Sequence, residues 1–207
     1  MPGTDTTSPG RGVTDGGQSA GDTDENVLVL ADTIDGDAGD YCAERIASRP
    51  GSASSKMLLV ALDETPDDRF DAVVRRGIGE PTDVGIVCCE STRGATATRS
   101  AGGPGLGHGP WIATVASPGD LTGLGARIEE ALSAWADDPE PVELCFHSLT
   151  TLCQYVDERA AFRFCHAVTR HLDAAGAGSH FHLDPSAVDE RTVATLSALF
   201  DRVEDRT

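Results

Sequence analysis

Five short, largely apolar runs recur along this chain: Asn26-Val-Leu-Val-Leu-Ala31, Lys56-Met-Leu-Leu-Val-Ala-Leu62, Val84-Gly-Ile-Val-Cys-Cys89, Trp111-Ile-Ala-Thr-Val115 and Val142-Glu-Leu-Cys-Phe146. A strand apolar at nearly every position has no face to offer water, so each must be covered on both sides. The segments between the runs are long enough for helices. Strands alternating with helices build right-handed crossovers over a parallel sheet. The expected fold is therefore α/β, a three-layer sandwich around a mostly parallel central sheet. A sixth run, Ser179-His-Phe-His-Leu183, alternates polar with apolar and suits a strand nearer the sheet edge.

The covering helices show in their periodicity. Over 120–136, Leu121, Leu124, Ile128, Leu132 and Trp135 share one helical face, Asp120 can cap the start, and Asp137-Asp-Pro139 stops the end. Over 158–175 the stripe is Ala161, Cys165, Val168 and Leu172, widened by Phe162 and Phe164 and ended by Gly176 and Gly178. A last helix is expected over 188–203, with Val193, Leu196, Leu199, Phe200 and Val203 facing inward and Ser186 with Asp189 as a capping box. Weaker patterns mark helices near 38–48 and 67–76.

Two segments break this rhythm. Residues 1–25 carry almost no apolar side chain beyond Val13 and are expected to form a disordered acidic leader, with one domain over 26–204. Residues 90–110, rich in glycine, serine and threonine, read as a flexible loop that is long for a compact domain. It is not a phosphate loop, because no Lys-Ser or Lys-Thr follows its glycines.

Charge narrows the partners. The chain has 34 Asp and Glu against 16 Lys and Arg, a formal charge of −18, and Lys56 is its only lysine. Such an excess repels phosphates and anionic membranes, so nucleic acid is an unfavourable partner and no membrane partner is expected. A basic or metal-bearing protein partner fits the charge better. Dense acid with almost no lysine resembles the cytosolic proteins of salt-loving archaea. No run approaches the ~20 apolar residues of a membrane span, and Asp5 stands where a secretory signal would have a basic start. A cytoplasmic location is expected. The cysteines, at 42, 88, 89, 145, 153 and 165, show no C-x-x-C spacing and read as buried thiols.

Ligands of a parallel α/β sheet bind beyond the carboxyl ends of its strands. The first strand leads into Asp32-Thr-Ile-Asp-Gly-Asp-Ala-Gly-Asp40, where a phosphate loop would need G-x-x-x-x-G-K-[ST]. Asp32, Asp35, Asp37 and Asp40 oppose a triphosphate there, and although a divalent ion could use their oxygens, they read as a solvated acidic loop. After the fifth strand, His147 occupies the place where an NTPase has the aspartate of its magnesium shell, and Ser148 and Thr150 can cap the helix that follows. His180 and His182 alternate on a strand and face one side. A zinc site from His147, one of that pair and Asp184 is geometrically conceivable, but the strands need not be neighbours. A hydrolase built on Ser148 lacks the G-x-S-x-G elbow. His166 and His171 lie on a helix, His108 lies in the glycine-rich loop, and Cys145 and Cys165 read as packing residues. On these grounds no catalytic, cofactor-binding or metal-binding residue is assigned, and no cofactor is expected.

Four motifs stand out beyond this: Ser117-Pro-Gly-Asp-Leu-Thr-Gly123, Glu143-Leu-Cys-Phe-His-Ser-Leu-Thr150, Gln154-Tyr-Val156 and His180-Phe-His-Leu-Asp-Pro185. Through them, residues 26–204 resemble an uncharacterised haloarchaeal family related to the RecA and KaiC-like ATPase core. The resemblance implies a P-loop NTPase fold without a functional P-loop. In active KaiC-like relatives a strand-end Asp-Ser-Leu holds the magnesium site, and His147-Ser148-Leu149 matches that place here. Glu64 matches an acidic residue those relatives carry after the second strand. The phosphate-binding lysine and the magnesium aspartate are both missing. The expected function is a non-catalytic domain with a regulatory or protein-interaction role. The alternative is a divergent nucleotide-binding protein or ATPase in which Arg93 or Arg99 approaches the phosphates. A DNA-linked regulator would need a basic patch, and Arg75-Arg76 is the only local arginine pair. Active relatives are often hexamers built around nucleotide sites, so the oligomeric state is left open here.

Overall fold

The computed structural model describes residues 24–32, 41–42, 44–45, 55–74, 83–91, 110–147 and 149–207. These residues form seven strands: β1 (Asn26–Leu30), β2 (Lys56–Ala61), β3 (Asp83–Cys89), β4 (Trp111–Val115), β5 (Val142–Phe146), β6 (Gly178–Leu183) and β7 (Arg202–Asp205). They join in one sheet in the order β4-β3-β2-β5-β6-β1-β7. Every pairing is parallel. The helices are α1 (Pro66–Val74), α2 (Leu121–Ala134), α3 (Leu149–Tyr155), α4 (Glu158–Ala175) and α5 (Glu190–Ser197). Residues 41, 42, 44 and 45 are also helical. The parallel α/β fold is the one the apolar runs imply.

Caps set the helix ends. Asp120 accepts from the Gly123 N–H at 2.9 Å, and Asp157 from the Ala160 N–H at 2.7 Å. Gly176 ends α4 at φ 63, a left-handed turn in which the Ala177 N–H reaches the Leu172 carbonyl. Pro66 opens α1, and the Thr65 hydroxyl accepts from the Asp68 N–H.

The two faces of the sheet differ in chemistry. The period of two sends Leu28, Leu58, Leu144, Phe146 and Phe181 to one face, where they pack with residues of α2, α3, α4 and α5. Val27, Val29, Met57, Leu59, Ile86 and Cys145 point to the other, with Tyr41, Cys42 and Phe70 of α1. The first face is apolar apart from Asn26 and Ser179 near the starts of β1 and β6, where the Ser179 hydroxyl donates to Asn26 Oδ1 at 2.6 Å. The second carries a row of polar groups among its aliphatic ones.

On the apolar face Gly85 has no room for a side chain. A Cβ there would lie 3.0 Å from Leu58 Cδ1 and from Trp111 Cε3, and 3.3 Å from Trp135 Cη2. Exchanging a strand glycine for alanine normally helps the strand, but here the two indoles and a core leucine must move. Gly85→Ala is expected to lower stability by about 1–3 kcal/mol. A fall in the denaturation midpoint at unchanged slope, measured in molar salt, checks it; an unchanged or raised midpoint refutes it.

Three expectations need correction. Ser179–Leu183 is not near the edge: β6 lies between β5 and β1 and is buried along its whole length. The last helix stops at Ser197, and the chain turns and adds β7 beside β1. Leu196 and Phe200 stay buried, but pairing with the open edge of β1 replaces the final turns, and Val203 is exposed. The Asp201 and Arg206 N–H groups anchor that edge on the Asn26 and Leu30 carbonyls. The start of α5 is capped by Asp189 itself, which accepts from the Thr192 N–H at 2.8 Å, while Ser186 bonds Asp184 instead. The expected leader lies outside the described residues except for 24 and 25, as does most of the expected 90–110 loop.

Candidate functional site

The polar row lies near the middle of the sheet. Alternation on β5 puts Glu143, Cys145 and, just beyond the strand, His147 on the mixed face, and β6 adds His180 and His182. Cys145 is in register with His180. Tyr41, Cys42 and Arg45 meet this row from the segment between β1 and β2, Arg69 from α1, and Glu64 from the turn before α1.

Hydrogen bonds run through the row from Arg45 to Arg69. Arg45 Nε donates to Glu143 Oε1 at 2.7 Å, and Arg45 Nη2 donates to the Glu25 carbonyl at 2.9 Å. The same Glu143 oxygen lies 2.8 Å from His180 Nδ1. His180 Nε2 is 2.8 Å from Cys42 Sγ, and the Cys42 and Cys145 sulfurs are 2.7 Å apart. Arg69 Nη2 donates to both sulfurs, at 3.2 Å to Cys42 and 3.1 Å to Cys145. The His182 ring stands edge-on to Tyr41 and His180, and neither of its nitrogens has a hydrogen-bond partner. At the strand ends His147 Nε2 meets Glu64 Oε1 at 3.0 Å, and the His147 ring centre is 5.8 Å from that of His182.

Burial makes these contacts strong. Glu143, Cys42, Cys145 and His180 are 0% exposed. Burial pushes the Cys145 thiol up, but the Cys42 hydrogen bond and the His180 and Arg69 charges outweigh it and hold Cys145 well below the usual thiol range. Cys42 goes the other way, raised by burial and by its neighbour sulfur. Burial depresses His180, yet the Cys145 thiolate and Glu143 lift it to about 9. His182, which lacks a carboxylate partner, is pushed down to about 4 by burial. Burial disfavours the Arg69 charge, but Cys145, Cys42 and Glu64 hold it on. Glu64 is lowered by its hydrogen bond to His147.

The residues singled out in the sequence sort clearly. His147 and Glu64 come together, and His180 and His182 share a face as the alternation requires. Asp184 does not join them: its Oδ1 accepts from the Ser186 N–H and hydroxyl. Thr150 is the second residue of α3, and its hydroxyl accepts from the Asp184 N–H at 2.8 Å, tying α3 to the end of β6. His166 and His171 are exposed on α4, and Cys165 packs in the apolar core. Cys145 is buried as expected, but its sulfur faces Arg69 and Cys42 as well as aliphatic neighbours. Asp35, Asp37, Asp40, Arg75, Arg76, Arg93, Arg99, His108 and Ser148 lie outside the described residues.

Sequence reasoning missed Cys42, Arg45, Arg69 and Glu143. Only Glu143 left a signal, a lone acid inside an apolar run two residues before a cysteine. Cys42, His180 and Glu143 are linked like a nucleophile, base and orienting acid, but all three are buried. The thiol and imidazole donors of Cys42, Cys145, His180 and His182 all lie within 4.8 Å of one another.

None of the curated proteins matches this chain. Its fold is similar to that of a Pyrococcus horikoshii OT3 protein known from a structural study, with a TM-score of 0.55 over 89% of this chain and 83% of that one. The two are 10% identical, so the likeness concerns the fold alone. Among the described residues no helix is long and apolar enough to cross a membrane. Residues 24–204, nearly the whole of what the structure describes, match a family of unknown function, DUF7504, and the chain belongs to that family.

Proposed function

We propose that this chain is a non-catalytic domain of the RecA/KaiC-like kind, serving a regulatory or protein-interaction role in the cytoplasm of a salt-loving archaeon. The observation that carries this reading is the His147–Glu64 pair at the carboxyl end of the sheet. A magnesium–nucleotide site needs a carboxylate free to hold the hydrated ion, and a cation to neutralise the phosphates. Here an imidazole occupies the strand-end position and also engages the acid after β2. Asp63, next to Glu64, accepts a hydrogen bond from the Thr151 hydroxyl at 2.6 Å.

The cation is misplaced as well. Lys56, the only lysine, starts β2 at the opposite end of the sheet. It is buried there, paired with Asp138, and its Nζ lies 5.8 Å from the centre of the Trp135 ring. A lysine in that position supports the strand and does not reach a ligand at the carboxyl ends. The formal charge of −18 favours a basic or metal-bearing protein partner over nucleic acid.

Calorimetric titration with ATP and magnesium in molar potassium chloride tests the reading. No binding heat is expected. A dissociation constant in the micromolar range overturns the non-catalytic assignment in favour of a divergent nucleotide-binding protein.

A further inference from the structure

We propose that Cys42, Cys145, His180 and His182 bind one zinc ion as a closed structural site on the mixed face of the sheet. Two sulfurs and two imidazoles are the donor set that selects zinc, an ion that takes four ligands tetrahedrally with bonds of about 2.0–2.3 Å. The four donor atoms already lie within 4.8 Å of one another, so small side-chain movements suffice to surround an ion. They come from three separate parts of the chain: the segment between β1 and β2, β5, and β6.

The surroundings are arranged as a metal's outer shell would be. His180 turns Nδ1 to the Glu143 carboxylate at 2.8 Å, which leaves Nε2 facing the sulfurs. A ligating histidine held by a carboxylate in this way has its ring orientation and tautomer fixed and its basicity raised. Glu143 is in turn held by Arg45. Arg69 donates to both sulfurs, as suits a thiolate pair that ligates a cation.

His182 supplies an independent indication. It is buried, yet both its ring nitrogens lack a hydrogen-bond partner. Leaving a buried polar group unsatisfied is costly, and native interiors rarely do so without a reason. Coordination by one nitrogen removes half of that deficit. Charge is consistent too: zinc with two thiolates and two neutral imidazoles is neutral overall, which suits an interior. All four positions are filled by protein, so the site leaves none open for a substrate. It would clamp the Cys42 segment onto β5 and β6.

The test uses the full chain, purified without a histidine tag under reducing conditions in molar salt. Metal analysis is expected to find one zinc per chain. Replacing zinc by cobalt(II) should produce the visible bands of a tetrahedral site with two sulfur and two nitrogen ligands. Cys145→Ser and His182→Gln should lose those bands, whereas Cys165→Ser, which alters a cysteine in the apolar core, should keep them. Glu143→Gln provides a second reading that leaves all four ligands in place: cobalt affinity should fall about 10–100-fold with the bands retained. A wild-type chain that carries no zinc and takes up no cobalt overturns the proposal. So does zinc that persists equally in both ligand variants, or a Cys42–Cys145 disulfide recovered in place of the metal.

Discussion

Glu143→Ala is expected to lower the unfolding free energy by about 3–5 kcal/mol, because it breaks a buried ion pair from one side. The Glu143 carboxylate is fully buried and one of its oxygens serves both Arg45 Nε and His180 Nδ1. Alanine removes the oxygen that accepts both bonds. Arg45 cannot discharge itself, so its guanidinium would remain buried with only part of its former bonding. Glu143→Gln keeps the shape and one acceptor, and should cost less. A third comparison separates the pair from its desolvation. Arg45→Met with Glu143→Leu replaces both charges by apolar groups, and should be less destabilising than Glu143→Ala alone. Denaturation midpoints in molar salt, compared at equal slope, decide it. A loss from Glu143→Ala of less than about 1 kcal/mol would show that Arg45 finds another partner and that the pair does not organise this face.

The polar row also explains where sequence reading stopped. The five apolar runs were legible because a buried strand of a parallel sheet declares itself by composition alone. β6 is buried along its whole length, yet its sequence points to a place nearer an edge, since alternation of polar and apolar residues usually means that one face meets water. In β6 the polar residues His180 and His182 turn inward, towards Cys145, Cys42 and Tyr41. The period was right and the solvent was wrong. β7 failed differently. Arg202-Val-Glu-Asp205 has no apolar run, and only the backbone edge of β1 makes it a strand. Val203 also happens to continue the helical spacing of Leu196 and Phe200.

The candidate site was half legible. The His180–His182 alternation and the exchange of a strand-end acid for His147 can both be read from local sequence. Cys42 cannot. It lies in a stretch of weak periodicity and meets Cys145, 103 residues away, only because the chain crosses back over the sheet. Arg69 had no signal either, since an arginine on an amphipathic helix is ordinarily a surface residue. Here α1 turns it inward, where it bonds two sulfurs.

The opposite face of the same strand offers the second large effect. Phe146 points away from the polar row into the apolar core and is 0% exposed. Its ring stacks on Phe181 with centroids 5.1 Å apart and planes 8° apart, and meets Phe164 edge-on at 6.0 Å and 65°. Phe181 in turn contacts Phe200, beyond the end of α5, at 5.1 Å. The phenyl ring therefore joins β5, β6 and α4 directly, and the chain's last turn through one intermediary. Phe146→Ala is expected to cost about 3–5 kcal/mol, from lost burial and from the cavity left behind. Each aromatic pair adds about 0.5–1.5 kcal/mol beyond area. Phe146→Leu, which refills most of the volume, should recover more than half of the loss. Because the ring lies on the other side of the sheet from Cys145, a folded Phe146→Leu chain should keep the cobalt bands of the wild type. If Phe146→Ala unfolds at the wild-type midpoint, the neighbouring rings have collapsed into the space, and the stack does not hold this face together.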